Sequence, residues 1–220
     1  MRVKVNRVYY VEVNCLSLKE FKTILILSVF LGLLIVSVYL VIAYWPRYEE
    51  YFFELGLLGK EEKAESYFPG DNSSIYIGTP MSWWIYVHNH MGSERDVSIR
   101  VKILNSTMAA PDDREHEPST EPYFLEFPIS LSVDETVLVP YSWSVLDAEY
   151  QNGTVVKELI VNGEFVDVDV KSFSDGDFRI VFELWVYDQE SGEFVFGWYS
   201  KGEFYSASIY MWFEFNLPYF

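Results

Sequence analysis

Hydrophobic and polar positions follow two different patterns along this chain. Between Ile24 and Trp45 every residue is uncharged, and at about 1.5 Å per residue a helix of that span matches the roughly 30 Å hydrocarbon core of a bilayer. From Ile75 onward, apolar and polar residues alternate with the period of strands that bury one face. The pattern predicts one transmembrane helix followed by a β domain.

The alternating region divides into about eight or nine strands at hairpin spacing. The predicted strands are Met81–Asn89, Val97–Ile103, Tyr123–Ile129, Glu135–Val145, Val155–Val161, Phe165–Val170, Phe178–Tyr187, Phe194–Tyr199 and Ala207–Phe215. The Asn-Gly pairs at 152–153 and 162–163 predict type I′ hairpin turns. These features predict an all-β fold, an immunoglobulin-like β-sandwich carried on one N-terminal transmembrane α-helix.

Three local expectations accompany this fold. The strands Met81–Asn89 and Val97–Ile103 are expected to form an antiparallel hairpin with one solvated face, which would carry Ser98 and Lys102. Pro140 indicates an edge strand or a bulge, because it cannot donate to a sheet ladder. The polar, proline-rich stretch 109–122 is expected to be a surface loop.

The chain divides into four predicted segments. They are a cytoplasmic tail (1–22), a transmembrane signal-anchor helix (23–45), a juxtamembrane helix or linker (46–74) and an extracellular β-sandwich (75–220). The third segment is predicted to be partly helical, because Tyr51, Phe52 and Leu55 have helical spacing.

Charge predicts the orientation of the chain in the membrane. Residues 1–22 hold five basic and two acidic residues, whereas the remainder holds 11 of the 16 basic and 31 of the 33 acidic residues. The positive-inside rule therefore places the N-terminus in the cytoplasm and the large domain outside the cell membrane. The net charge of −17 argues against nucleic acid as a partner, and it is compatible with divalent cations or with solubility in salt.

The apolar run is interpreted as an uncleaved anchor, so that the lipid bilayer is the first expected partner. It is longer than a signal-peptide core and ends in Tyr44-Trp45-Pro46 rather than in small residues. The one cysteine, Cys15, precedes the run, which excludes an intrachain disulfide and requires the β domain to be stable on its own core.

Two kinds of candidate site belong to strand ends and turns. Three sequons make Asn72, Asn105 and Asn152 candidates for glycosylation, and at least one of them is expected to carry a glycan if the host has the pathway. His88 and His90 share one face of a strand and are the sharpest metal candidates, with His116 or an acidic residue of 109–122 as a third ligand. The alternative is a strand end with two partly exposed histidines, and no cofactor is predicted.

Further candidates come from aspartates and aromatic residues. The aspartate pairs at 167 and 169 and at 175 and 177 offer oxygen ligands to calcium, but they lack the full loop spacing and are better explained as solvated turn residues. Trp84, Trp185 and Trp212 are possible interaction aromatics, if they are exposed together.

No catalytic motif is present in the sequence, so no enzymatic activity is predicted. Glu183 and Glu214 resemble a glycosidase carboxylate pair, and solvent-facing strand residues explain them better.

Several segments resemble the DUF1616 family of archaeal membrane proteins. The resemblance lies in Phe53-Glu54-Leu55-Gly56, in Ala64-Glu65-Ser66-Tyr67-Phe68-Pro69 and in Val87-His88-Asn89-His90, and the strand Phe178–Tyr187 fits more loosely. It implies an archaeal envelope protein with an immunoglobulin-like extracellular domain of unknown function, and it supplies no catalytic residues.

The favoured functional hypothesis is a structural or accessory interaction subunit of the cell envelope or of a membrane complex. Its expected partner is another envelope or membrane protein, in a homo- or hetero-oligomer. The alternatives are a glycan- or divalent-cation-binding envelope domain and a pilin-like filament subunit.

Overall fold

The computed structural model describes residues 18–44, 51–150, 152–172 and 177–216. The predicted tail as far as residue 17, including Cys15, and the helix boundary at Trp45-Pro46 lie outside these ranges. The described residues form two compact units, one containing the helix and the other containing all the strands.

The first unit is the single α-helix α1, Leu18–Tyr44. Its stretch Phe21–Tyr44 is long and apolar enough to cross a membrane. Every side chain from 21 to 44 is exposed. A helix that is apolar on all sides and buries none of them suits a hydrocarbon environment rather than water.

In its described residues, the second unit contains thirteen strands and one 3₁₀ turn, Pro69–Asp71. The strands are β1 (Phe53–Leu58), β2 (Ser74–Ile75), β3 (Met81–Asn89), β4 (Arg95–Asn105), β5 (Leu125–Leu131), β6 (Thr136–Tyr150), β7 (Thr154–Val161), β8 (Glu164–Ser172), β9 (Asp177–Asp188), β10 (Glu193–Phe196), β11 (Trp198–Ser200), β12 (Glu203–Tyr205) and β13 (Ser208–Phe215).

Two sheets form the sandwich. Sheet A has the strand order β1-β3-β6-β7-β8, and sheet B has the order β2-β13-β9-β4-β5, with β10 pairing with β9. Strands β11 and β12 form a separate small hairpin. The predicted all-β, immunoglobulin-like sandwich is therefore confirmed in its class.

Aromatic side chains from the inner faces of both sheets meet in the core. The ring of Tyr141 in sheet A lies 5.1 Å from that of Phe182 in sheet B, and the ring of Trp143 lies 5.0 Å from that of Phe213. Trp83 is fully buried among them. The alternation predicted for β3 is confirmed, because its inward residues are buried and its outward ones are not.

The prediction of a helix or linker between 46 and 74 is wrong for its central part. Residues 53–58 form β1, the edge strand of sheet A, which pairs antiparallel with β3. Phe53 and Leu57 are buried in the core. Backbone pairing with β3 therefore overrides the helical spacing of the aromatic residues, and the sandwich begins near residue 53 rather than at 75.

The predicted hairpin between β3 and β4 is also wrong. Strand β3 pairs with β1 and β6 in sheet A, whereas β4 pairs with β5 and β9 in sheet B. The buried Asn89 stabilises the connection that leads from β3 in sheet A to β4 in sheet B. Its side-chain amide nitrogen donates to the carbonyl oxygens of Ser93 at 2.9 Å and Leu131 at 3.2 Å. Alternation shows which residues face inward but not which strand lies alongside.

The outer face of β4 is covered rather than solvated. Ser98 and Lys102 are buried, and the Lys102 Nζ donates to the carbonyl oxygen of Ser119 at 2.6 Å. Ser119 belongs to the stretch 109–122, most of which is exposed or half-buried as predicted. One part of this surface loop therefore packs on sheet B, which excludes water from that face.

Both Asn-Gly turns connect the strands that they were predicted to connect, β6 to β7 and β7 to β8. Asn162 and Gly163 have φ of 50° and 87°, as a type I′ turn requires. Pro140 lies on β6 of sheet A, opposite Trp84 of β3. Among the described residues its other side has no paired strand, because β7 pairs with β6 only from Trp143 onward. The predicted edge strand or bulge is therefore not found at Pro140, because β6 is an inner strand and its register shifts lie at 145–148, but the proline occupies a part of β6 that β7 does not cover.

Gly197→Ala is expected to destabilise the β domain by about 2 kcal/mol or more, because the left-handed backbone region alone costs an L-residue about 1–2 kcal/mol. Gly197 has a φ of 122°, and an added Cβ would lie 2.2 Å from the backbone oxygen of Tyr205. Gly202→Ala is the control, since its φ is also positive but its Cβ would meet nothing within 4 Å. Equal losses in urea titrations of the two variants would contradict the steric part of this prediction.

Candidate functional site

The two candidate histidines lie on the outer surface of sheet A, where β3 ends. His88 points away from the core, because its neighbours Val87 and Asn89 are buried. Its cross-strand partners are Glu54 on β1 and Thr136 on β6. Three adjacent strands therefore contribute one side chain each to the same row of the sheet.

A turn between β5 and β6 completes this group. The backbone N–H of Asp134 donates to the carbonyl oxygen of Asn89 at 2.9 Å, and the Asn89 N–H donates to that of Glu135 at 3.0 Å. These two bonds hold Asp134 beside His90. On the other side, the ring of Phe52 stacks on the His90 ring at 4.4 Å between centroids.

The geometry is that of a compact group of metal-ligating atoms. The two imidazole centroids are 3.9 Å apart, and His90 Nδ1 lies 3.9 Å from Asp134 Oδ1. One ligand atom from each of His88, His90 and Asp134 lies within 4.8 Å of the others. We call these three residues the histidine cluster.

Hydrogen bonds orient both rings of the histidine cluster. His88 Nδ1 lies 2.6 Å from the Thr136 hydroxyl, and His90 Nε2 lies 3.2 Å from Glu54 Oε1. The Tyr86 hydroxyl donates to the other oxygen of Glu54 at 2.9 Å. Each imidazole therefore has one nitrogen held by a neighbour, while His88 Nε2 is buried without a protein partner.

The electrostatic environment keeps a negative charge next to the rings. The hydrogen bond from Tyr86 lowers the pKa of Glu54 below its ordinary value, and His90 adds to this effect against an opposing contribution from burial. Burial raises the pKa of Tyr86, and the nearby Glu54 carboxylate raises it further. Glu54 therefore stays ionised at neutral pH and accepts a hydrogen bond from His90 Nε2.

The third ligand differs from the residue expected. His116 lies elsewhere, with its Nδ1 3.1 Å from the Ser206 hydroxyl and its ring against Phe204. The acidic member of the cluster is Asp134, which does not belong to the stretch 109–122. Glu54 and Asp134 were missed because they come from distant parts of the chain, Glu54 through the pairing of β1 with β3 and Asp134 through the turn before β6. Tyr86 shares the outer face of β3 with His88, so its spacing of two residues was a signal that could have found it.

The aspartate pairs are placed differently from a calcium loop. Asp167 and Asp169 are exposed on β8, and Asp169 forms a salt bridge with Lys157 at 2.7 Å. Asp175 lies outside the described residues. At Asp167 and Asp169 the geometry therefore favours solvated strand residues.

The three tryptophans do not form one patch. Trp84 lies on the outer face of sheet A, whereas Trp185 and Trp212 lie on the outer face of sheet B. Arg100 covers the Trp185 ring at 3.9 Å. Trp212 is 40% exposed, and the Arg179 guanidinium lies 4.7 Å from its ring. Only Trp212 remains a substantially exposed interaction residue.

The two glutamates do not form a glycosidase pair. Glu183 is fully buried and binds Lys102 at 2.9 Å, while Glu214 accepts a hydrogen bond from the Ser74 hydroxyl. Glu183 pairs with Ser208, so Glu214 lies six positions further along β13, or about 20 Å away at about 3.3 Å per residue. This separation is far beyond the spacing at which two carboxylates act on one glycosidic bond.

The sequons differ in accessibility. Asn72 and Asn152 are exposed in turns. Asn105 is buried, and its amide nitrogen donates to the carbonyl oxygen of Lys171 at 2.6 Å. The folded domain therefore hides the nitrogen that a glycan would need, so the prediction for Asn105 disagrees with the structure, whereas those for Asn72 and Asn152 stay predictions.

Comparisons with known proteins give distant structural likenesses. No family model and no curated protein matches the chain, and the resemblance to the DUF1616 family stays a prediction. The CARDB domain of a Pyrococcus furiosus protein, in complex with di-metal ions, matches 79% of this chain over 100% of its own, at 11% identity and a TM-score of 0.38.

A mutant β-glucosidase from Listeria innocua, in complex with laminaribiose, matches at 12% identity and a TM-score of 0.37 over 76% of this chain. The same enzyme in complex with isofagomine matches at 10% identity and a TM-score of 0.34 over 75% of this chain. This chain spans 16% of the glucosidase chain in each case. Likenesses at these scores carry no argument about function.

Proposed function

We propose that this chain is a membrane-anchored, extracellular interaction subunit, which binds a strand of another envelope or membrane protein at the free edge of β13. The apolar helix supports the anchoring, and the five basic residues among positions 1–22 support the orientation. The single observation that carries the binding role is the unpaired, apolar edge of β13.

The edge of β13 is open along most of its length. On one side β13 pairs with β9 from Ser208 to Glu214, and on the other side β2 pairs only with Glu214 and Phe215. Within the ranges that the structure describes, no strand pairs with Ile209–Phe213 on that second side. The backbone groups of this edge are available to an added strand.

The chemistry of this edge invites pairing, whereas two other edges are protected. The edge Ile209–Phe213 reads Ile-Tyr-Met-Trp-Phe and has neither a charge nor a proline. Strand β5, at the opposite edge of sheet B, contains Pro128, and β8, at the edge of sheet A, carries Asp167 and Asp169. Prolines and charges are the usual means of blocking association at an edge.

Side chains beside the edge fit a protein partner. Tyr210 and Trp212 are 45% and 40% exposed, and Arg179 lies against both rings. Tyrosine and tryptophan are among the residue types that contribute most to binding energy at interfaces, and the buried Arg179 supports these two rings from below. The net charge of −17 disfavours a second copy of the same chain, so the partner strand comes from a different protein.

Photo-crosslinking in intact membranes tests this proposal. Benzoylphenylalanine at Tyr210 is expected to give one discrete heterologous adduct, whereas the same group at Phe165, which is 70% exposed on β8, is expected to give none. Trp212→Ala in the Tyr210-labelled chain should reduce the adduct severalfold. An adduct of two copies of this 25.8 kDa chain, or equal labelling from both positions, would overturn the proposed partner.

The proposed role is non-catalytic. Among the described residues, the carboxylate pair considered for glycoside hydrolysis is separated, and its buried member is engaged by Lys102. An interaction role needs only an exposed edge and an anchor, and the unpaired side of β13 and the apolar helix α1 support these two parts of the proposal.

A further inference from the structure

We propose that the histidine cluster, His88, His90 and Asp134, is a binding site for a first-row transition-metal dication of the zinc class. The inference is independent of the proposed interaction role, because it rests on the outer face of sheet A rather than on the edge of β13.

The ligand atoms are close enough for one ion. Zinc bonds of about 2.0–2.2 Å in a tetrahedron place two ligand atoms about 3.3 Å apart. His90 Nδ1 and Asp134 Oδ1 are 3.9 Å apart, and the whole set lies within 4.8 Å. The Asp134 side chain is 75% exposed, so rotation about its own side-chain bonds can shorten the distance between its carboxylate and the imidazole nitrogens without disturbing the core.

The donor set selects the class of ion. Two imidazole nitrogens and one carboxylate oxygen suit zinc and its transition-metal neighbours, whereas calcium and magnesium prefer oxygen ligands throughout. Three protein ligands leave one position of a tetrahedron to water or to a group from a partner. We therefore expect zinc or cobalt to bind and calcium to compete poorly.

A second layer of residues prepares the rings for a metal. Thr136 binds His88 Nδ1, and Glu54 binds His90 Nε2. The other ring nitrogens, His88 Nε2 and His90 Nδ1, are not engaged by these two residues and are the ones left for a metal. A carboxylate that binds the second nitrogen of a metal-binding imidazole fixes the orientation of the ring and increases its basicity. The Tyr86 hydroxyl in turn donates a hydrogen bond to Oε2 of Glu54.

The buried nitrogen of His88 is the most specific sign of a ligand. His88 Nε2 has no protein hydrogen-bond partner although it is inaccessible to solvent. Buried polar atoms in native proteins are nearly always paired, so an unpaired one calls for a bound ion or water. A metal bound by this nitrogen at the histidine cluster would provide that partner.

Metal titration of the full chain in detergent tests the site. Zinc, measured against a chromophoric chelator, is expected to bind with one ion per chain, and cobalt is expected to show the visible spectrum of a nitrogen- and oxygen-ligated tetrahedral ion. His88→Ala and Asp134→Asn should each weaken zinc binding by at least about 100-fold. Thr136→Val, which removes only an orienting contact, should weaken it by about 10–100-fold.

His116→Ala is the matched control, because it removes the third of the chain's 3 histidines from a place bonded to Ser206. It should leave zinc affinity unchanged. Asp134→Asn alters an exposed side chain, so its effect is separable from misfolding, and circular dichroism in a chelator checks both variants. Equal zinc binding by the wild type, His88→Ala and Asp134→Asn, or displacement of zinc by equimolar calcium, would overturn the proposal.

Discussion

Lys102→Met is expected to destabilise the β domain by about 3–5 kcal/mol, because it leaves a buried carboxylate without its cation. The side chains of Lys102 and Glu183 are 4% and 0% exposed, and Nζ lies 2.9 Å from Oε2. The carboxylate also accepts hydrogen bonds from the Ser119 N–H at 2.8 Å and the Trp185 indole N–H at 3.1 Å. Methionine keeps most of the lysine volume and none of its charge.

Urea titration of the full chain in detergent, followed by circular dichroism, measures this loss. Combining Lys102→Met with Glu183→Gln is expected to recover much of it, because the charge is removed while an acceptor for the Ser119 N–H remains. Lys157→Met is the control, since Lys157 forms its ion pairs at the surface, and it should have little effect. A Lys102→Met variant that unfolds at the wild-type urea concentration would show that the pair contributes nothing.

Trp83→Ala is expected to destabilise the domain by about 3–5 kcal/mol, the usual range for removing a buried aromatic side chain from a core. Trp83 is 0% exposed, and its ring lies 5.3 Å from that of Trp143 and 6.3 Å from that of Phe182 in the opposite sheet. Its indole N–H donates to the carbonyl oxygen of Tyr67 at 2.6 Å. The substitution therefore leaves a cavity between the sheets and an unpaired carbonyl group.

The next residue along β3 supplies the control for Trp83. Trp84 is half-buried on the outer face of the same strand, so Trp84→Ala removes an equal volume without opening the core. Its loss in the same titration is expected to be less than half that of Trp83→Ala. Equal losses of unfolding free energy in the two variants would contradict the prediction that the inner face of β3 is more tightly packed than its outer face.

Local patterns predicted the elements well, because their causes are local. Strand β3 has the predicted bounds, and the hairpins at Asn152-Gly153 and Asn162-Gly163 join the expected strands. An Asn-Gly pair favours its turn through its own backbone preferences, whatever the rest of the chain does. The edge strand β1 was mistaken for a helix or linker, since its stability comes from pairing with β3 rather than from its own residues.

The candidate site was half visible in the sequence. His88 and His90 were found because residues two apart on a strand share a face. Asp134 and Glu54 were not found, because they approach the histidines through contacts between distant segments. Asn105 is the opposite case, in which the sequence motif indicates a site that the fold makes inaccessible, because its side-chain amide is buried.

The amino-acid sequence alone indicates an apolar membrane-length helix, an acidic β domain after it and the inward face of each long strand. These features follow from hydropathy, charge and alternation, which are properties of the residues themselves. Three further features emerge from the folded structure: β3 and β4 belong to different sheets, Lys102 and Glu183 are buried together, and β13 keeps a free edge. Strand order and burial depend on contacts between residues far apart in the chain, and no local pattern encodes those contacts.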